Sequence, residues 1–369
     1  MSSPRFDRSK LLLKPLADRV NRVTFPADIV SPDAPPRALS DAAARTLSEA
    51  VSRIRAARAA ARPVMCAFGA HTIKNGLGPV LIRLIDEGWI THLATNGAGI
   101  IHDWELAYQG RTSEDVRKNV ARGEFGTWDE TGRYLNLALL VGAWKGLGYG
   151  QSVGAFIVEQ GLDIPSAAEL RTDAERSLDT QPEKAAAAAD LLAAVSEFSL
   201  PAGRMSVPHP YREFSLQAAA YARGVPFTGH PMIGHDIIYT HPLNSGAAIG
   251  RTALRDFLVY AEGVSRLEGG VYLSVGSAVM SPMIFEKSLS MAQNAALQRG
   301  QAIRNHFIVV VDLAESGWDW QRDGEPPLDN PAYYLRYCKT FARMGGAVRY
   351  LQADNRDFFP ALLHALRPV

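Results

Sequence analysis

Short apolar runs that end in Gly, Ser or Asp recur along this chain, with stretches of helical spacing between them, and that alternation leaves few architectures open. An Ala-rich stretch with a serine N-cap at Ser40 predicts a helix that stops before Pro63, and the apolar run Val64–Phe68 follows it at once. A helix over 77–87, a strand over 91–95 and a helical stretch from Thr112 come next. Later "GVPFTG", "GGVYLSVGSAV", "HFIVVVDL" and "AVRYLQAD" repeat the apolar pattern. Apolar strands alternating with helices predict an α/β fold: a doubly wound, mainly parallel sheet with helices on both faces and ligand chemistry in the loops at the carboxyl ends of the strands.

Two regions depart from the alternation. Residues 1–39, with "SPDAPPRALS" near their end, read as an extended N-terminal arm able to pack on a neighbouring subunit. Residues 40–369 then form one domain, in which a helical insertion at about 127–200 separates two halves of the sheet.

Composition narrows the partners. Lys and Arg total 39 against 38 Asp and Glu, so no basic field draws the chain onto nucleic acid or anionic lipid. No apolar run approaches the roughly 20 residues of a membrane span. The two cysteines, Cys66 and Cys338, are far apart and match no zinc or disulfide pattern, which suits a reducing, cytoplasmic setting and no bound metal. A small-molecule substrate is the expectation that remains.

The polar residues gather after the expected strands. In "LATNGAGIIHDWE" the Gly97 and Gly99 turn offers backbone amides to a phosphate or carboxylate, through tolerance of positive φ and lack of a side chain, although the spacing is not that of the usual dinucleotide fingerprint. His102, Asp103 and Glu105 follow directly: an imidazole with an orienting acid, or an acid that caps the next helix, and a second acid about one helical turn on. A second polar stretch carries His71, Lys74 and Asn75, and two adjacent strand ends of this kind make a crevice. "GHPMIGHD" adds His230, His235 and Asp236 as substrate contacts.

In the order of these features, over about residues 40–367, the sequence resembles the deoxyhypusine synthase superfamily. The likeness runs from Asn75-Gly76 before a helix, through "GWITHLATNGAGIIHD" and "GVPFTGHPMIGHDIIY", to "GGVYLSVGSAV", "HFIVVVDLAESGWD" and "AVRYLQADNRDFFPALLHAL". The resemblance implies NAD as cofactor, a homotetramer, and substrate held near subunit interfaces. It implies that Thr95, Asn96, Gly97, Gly99, Gly276, Ser277, Asp354 and Asn355 face the cofactor, that Asp236 binds substrate, and that Lys339 stands near the lysine that carries an aminobutyl group as an imine. The chain departs from that pattern where Ser281 and Pro282 replace a Lys-His-His run, where Tyr337 replaces Trp, and where Tyr333 replaces an acid.

"IIHDWE" also resembles the His-Asp-x-Glu stretch of the deoxyhypusine-synthase-like domain in NAD-dependent ornithine cyclodeaminases. That likeness implies transient oxidation of a small amine or amino acid at its amine-bearing carbon, with acid/base groups instead of an obligatory lysine. Two alternatives stand beside it: aminobutyl transfer from spermidine through a lysine imine, and a non-catalytic protein that binds NAD or another ligand.

Overall fold

A computed structural model of the protein describes residues 3–367. Six strands form the central sheet: β1 (Val64–Phe68), β2 (His92–Asn96), β3 (Phe227–His230), β4 (Val271–Val275), β5 (Phe307–Asp312) and β6 (Ala347–Gln352). All neighbours run parallel, in the order β6-β5-β4-β1-β2-β3. Parallel pairing demands a crossover between consecutive strands, and crossovers put helices on both faces.

Side chains alternate accordingly. Val64, Cys66 and Phe68 of β1 enter one apolar core, with α1 (Asp41–Ala59), α2 (Gly78–Asp86) and the C-terminal helix Asn355–Leu366. Met65 and Ala67 enter the other, where the long helices Gly246–Ser265 and Met280–Leu297 contribute Tyr260 and Phe285. A strand buried on both faces has no polar side to show, which is why these segments read as continuous apolar runs. Ser40 caps α1, its hydroxyl accepting from the Ala43 amide, as expected.

The strand order places the reversal of winding between β1 and β4, where loops leave the sheet in opposite directions and open a crevice above its carboxyl edge. The floor of that crevice is bare backbone. A Cβ on Gly69 would lie 2.0 Å from the carbonyl oxygen of Gly276, so the turns after β1 and β4 touch only because Gly69 has no side chain.

Three expectations differ from what is found. The "TNGAG" segment is not a free turn: it opens α3 (Gly97–Gln109), and neither Gly97 nor Gly99 has positive φ. Thr112 begins no helix; it lies in a strand, Arg111–Glu114, that pairs antiparallel with Asn21–Thr24. The stretch at 127–200 enters between β2 and β3, inside the first half of the sheet, and contains α4 (Asp129–Lys145), α5 (Tyr149–Glu159) and the helices Ala167–Ser177 and Pro182–Glu197.

The N-terminal segment folds back over its own chain. Leu16 is buried, Lys14 pairs with Glu124, and the Arg8 guanidinium donates to the Tyr239 carbonyl at 2.9 Å. This packing carries Arg19 into the interior.

Substituting Gly69→Ala forces the two post-strand turns apart and lowers unfolding stability by about 2 kcal/mol, read by urea denaturation. Gly246→Ala, where an added Cβ meets nothing within 4 Å, serves as the control and leaves stability near wild type. Equal stability of Gly69→Ala and wild type would contradict the backbone contact.

Candidate functional site

The carboxyl edge of β2 feeds straight into α3. The Asn96 side chain caps the helix by accepting from the Gly99 amide at 2.9 Å, and Thr95 donates to the Phe68 carbonyl at 2.9 Å, tying β2 to β1. Small residues permit two close approaches here. A Cβ on Gly97 would lie 2.0 Å from Oδ2 of Asp236, and one on Gly99 would lie 2.3 Å from the Thr95 hydroxyl.

His102 and Glu105 sit three positions apart on one face of α3, whereas Asp103 points elsewhere. Gly110, left-handed at φ 67°, ends the helix and turns the chain so that Arg111–Glu114 runs back beside it. Thr112 thereby stands between the two side chains. Its hydroxyl donates to Glu105 Oε2 at 2.5 Å and lies 2.7 Å from His102 Nδ1. A hydroxyl has one proton, and here the carboxylate holds it. Thr112 must then accept from His102, which puts the ring proton on Nδ1 and leaves Nε2 with a free lone pair.

Glu105 is fixed from the other side. Arg19 donates to both carboxylate oxygens, Nη1 to Oε1 at 2.7 Å and Nη2 to Oε2 at 2.6 Å, and Thr131 donates to Oε1 at 2.8 Å. Both side chains of the ion pair are 1% exposed. Burial works to raise the Glu105 pKa, but the attached guanidinium outweighs it and holds the carboxyl below its usual range. His102 is pushed down to about 4, chiefly by burial, with Glu105 opposing and Lys74 and Arg19 assisting. Near pH 7 it is a neutral imidazole.

A cavity of about 250 Å³ opens against His102, and Lys74, His235, Asp236 and Arg22 line it too. Asp236 Oδ2 is buried without a hydrogen-bond partner, and burial pushes its carboxyl up to about 7. The Lys74 ammonium makes no hydrogen bond or ion pair among the described residues, and burial, then Arg22, lowers its pKa. Glu114 is already occupied by Asn119, the Gly126 amide and the Trp128 indole, and Arg22 by Asp115. The groups left for a ligand are the unpartnered Asp236 acid, the unpaired Lys74 ammonium, the neutral His102 imidazole and the exposed His235 ring. That set suits a molecule with an amine at one end.

A second crevice of about 240 Å³ lies above the ends of β4, β5 and β6. His71, Asn75, Gly276, Asp312, Asp354 and Asn355 line it. Asn75 donates to Asn355 Oδ1 at 2.8 Å, and Asp354 caps the last helix by accepting from the Arg356 amide at 2.8 Å. Gly276 has φ +57°, and no heavy atom stands within 4 Å of where its Cβ would be. One helical turn, His71–Lys74, borders both cavities: His71 faces the crevice and Lys74 the His102 cavity.

The structure brings His102, Glu105, Lys74, His235 and Asp236 together, and brings His71, Asn75, Gly276, Asp354 and Asn355 together. Thr95, Asn96, Gly97 and Gly99 shape the start of α3 and line neither cavity. Others lie apart. Asp103 is not the orienting acid of His102: its carboxylate accepts from the Ser215 hydroxyl, the Leu216 and Gln217 amides and the Gln217 side chain, and so caps the helix Leu216–Ala222. His230 is buried at the end of β3, bonded to Thr228 and packed on Tyr260. Ser277 accepts from the Ser281 amide, and the Lys339 ammonium lies 3.4 Å above the Tyr333 ring, lining neither cavity.

Sequence reasoning missed Arg19, Thr112 and Thr131. Thr112 falls where a helix was expected, and Arg19 sits in a segment read as an arm, 86 positions from the acid it meets. Among the described residues no three His, Cys, Asp or Glu side chains converge as metal ligands would, and no helix is long and apolar enough to cross a membrane.

No protein-family model matches the chain, and no curated protein matches it in sequence. Solved structures similar to it include AgrE in ternary complex with ornithine and NAD+, at 14% identity and TM-score 0.43 over 89% of this chain and 34% of AgrE. A conserved protein of Methanococcus maripaludis S2 described as LOR/SDH matches at 11% identity and TM-score 0.43, over 91% of this chain and 73% of that one. A protein described as a deoxyhypusine synthase from Entamoeba histolytica matches at 12% identity and TM-score 0.41, over 88% and 87%. The chain spans about a third of the length of AgrE.

Removing one member of the buried ion pair strands the other. Arg19→Met is expected to cost about 3–5 kcal/mol of unfolding free energy, and adding Glu105→Gln to it recovers part of that loss in urea denaturation. A cost below about 1 kcal/mol for Arg19→Met alone would contradict the pairing.

Proposed function

We propose that this protein is an NAD-dependent enzyme of deoxyhypusine synthase-like type that acts on a small amine or amino acid by transient oxidation at the amine-bearing carbon, in the manner of a deaminase or cyclodeaminase. The observation that carries the reading is the pair of cavities meeting at the His71–Lys74 turn, one at the switch point of the sheet and the other holding a neutral imidazole beside an unpartnered acid. Cytoplasmic residence and assembly as a homotetramer belong to the same reading.

The crevice residues fit a dinucleotide. The strand order creates the kind of opening such cofactors occupy, and the open side of Gly276 admits a ligand close to the backbone. Asn75, Asp312, Asp354 and Asn355 would hold its polar groups, the acids suiting ribose hydroxyls. When bound, the nicotinamide would supply the hydride acceptor.

The chain's own groups do the rest. Ionised Asp236 receives the substrate ammonium at the start of α3. His102 Nε2 accepts a hydrogen bond from the substrate nitrogen, and positive charge that develops on the ring is stabilised through Thr112 by Glu105. Lys74 faces a substrate carboxylate where one is present. None of these steps draws on Lys339, whose position over Tyr333 gives aminobutyl transfer no support from geometry.

With ornithine as probe, NAD-saturated protein should bind more tightly as the solution is taken from about pH 6 to about pH 8, because Asp236 ionises near 7 while the probe's ammonium remains charged. Asp236→Asn should flatten that profile in calorimetry. His102→Ala should lower turnover of a responsive amine by about a hundredfold or more without loss of the folded state. Absence of NAD binding, or wild-type turnover in His102→Ala, would remove the reading.

A further inference from the structure

A third cavity, of about 460 Å³, shares no lining residue with the two described above. Its rim is glycine-rich backbone, Gly146, Gly148 and Gly150, where α4 gives way to α5. Tyr221, Val225, Phe227, Leu258 and Val259 make its walls largely apolar. Leu258 and Val259 stand at the mouth, 51% and 44% exposed.

The two charged side chains of the wall are committed. Asp256 accepts from the Gly150 amide at 2.8 Å and the Gly229 amide at 2.6 Å, pinning Gly246–Ser265 to α5 and β3. The Arg255 guanidinium donates to the carbonyls of Ala143 and Leu147. Gln217 supplies the cavity's buried unpartnered atom. It is 1% exposed, its side-chain nitrogen donates to the Ile100 carbonyl at 3.0 Å and to Asp103 at 2.9 Å, and its Oε1 has no partner. A buried amide oxygen left unpaired costs free energy that a donor would recover.

We propose that this cavity is a binding site for a small apolar ring compound carrying a single neutral O–H or N–H donor, which enters between Leu258 and Val259 and gives its hydrogen bond to Gln217 Oε1. The volume is that of an ordinary small-molecule pocket. Gln217 also makes the site more than a hole. The amide that would hold the ligand already holds Ile100 and Asp103 of α3, the helix that presents His102. Occupancy is therefore coupled to the active-site helix through one side chain, and this does not depend on what chemistry His102 performs.

The test uses 4-ethylphenol, with 4-ethylanisole as a matched compound lacking the donor, titrated into the full-length protein and followed by amide NMR. The phenol should shift the Gln217 side-chain amide and the backbone amides of Gly148, Gly150 and Asp103, and should bind about tenfold more tightly than the anisole. Val259→Trp, a substitution at an exposed position, should block the mouth and weaken the phenol about tenfold while leaving the rest of the spectrum in place. Equal affinity of the two compounds would overturn the hydrogen bond to Gln217. Unchanged phenol binding by Val259→Trp, or no binding to wild type, would overturn the site, and shifts that stop short of Asp103 would overturn the coupling.

Discussion

A guanidinium and a carboxylate buried together organise the candidate site. Arg19 and Glu105 are almost wholly removed from solvent, and such a pair holds only when every remaining lone pair and proton is satisfied. Thr112 and Thr131 complete the set around the carboxylate. The requirement propagates outward. The N-terminal segment must lie across α3 to deliver Arg19, the strand Asn21–Thr24 must pair with Arg111–Glu114 to keep it there, and Thr112 then has only its lone pairs left to offer His102. A protonation state at the cavity wall is thus set by the docking of a segment far away in sequence.

Much of the scaffold was legible because burial on both faces writes itself into composition. β1 aligns with the run Val64–Phe68 and β5 with "HFIVVVDL", since every residue of those strands packs against helices or lies at their ends. The site was legible only in part. His102 and Glu105 share a helical face, and Asp236 follows β3, so simple rules about strand ends and helical spacing bring them close. Asp103 shows where such rules stop. Adjacent in sequence to His102, it points across α3 into the Leu216–Ala222 cap, and direction around a helix cannot be read from adjacency alone. Arg19 carried no local signal, because a proline-flanked segment with a few charges looks the same whether it floats or folds back.

Glycine has two uses at the carboxyl edge of the sheet. At Gly97 and Gly99 it is absence of bulk within a helix that lets Asp236 and Thr95 approach, with no demand on φ. At Gly276 it is a left-handed backbone with an open side toward the crevice. A glycine-rich stretch after a strand therefore signals close approach without saying whether a ligand or another part of the chain does the approaching.

The chain from Arg19 through Glu105 and Thr112 fixes His102 as a neutral imidazole protonated at Nδ1. Long-range proton–nitrogen NMR of the His102 ring over a pH series tests it directly. The expected result is a single tautomer protonated at Nδ1, persisting until the ring protonates at about pH 4. A ring protonated at Nε2, or one that titrates near the ordinary histidine value of about 6.5, would contradict it.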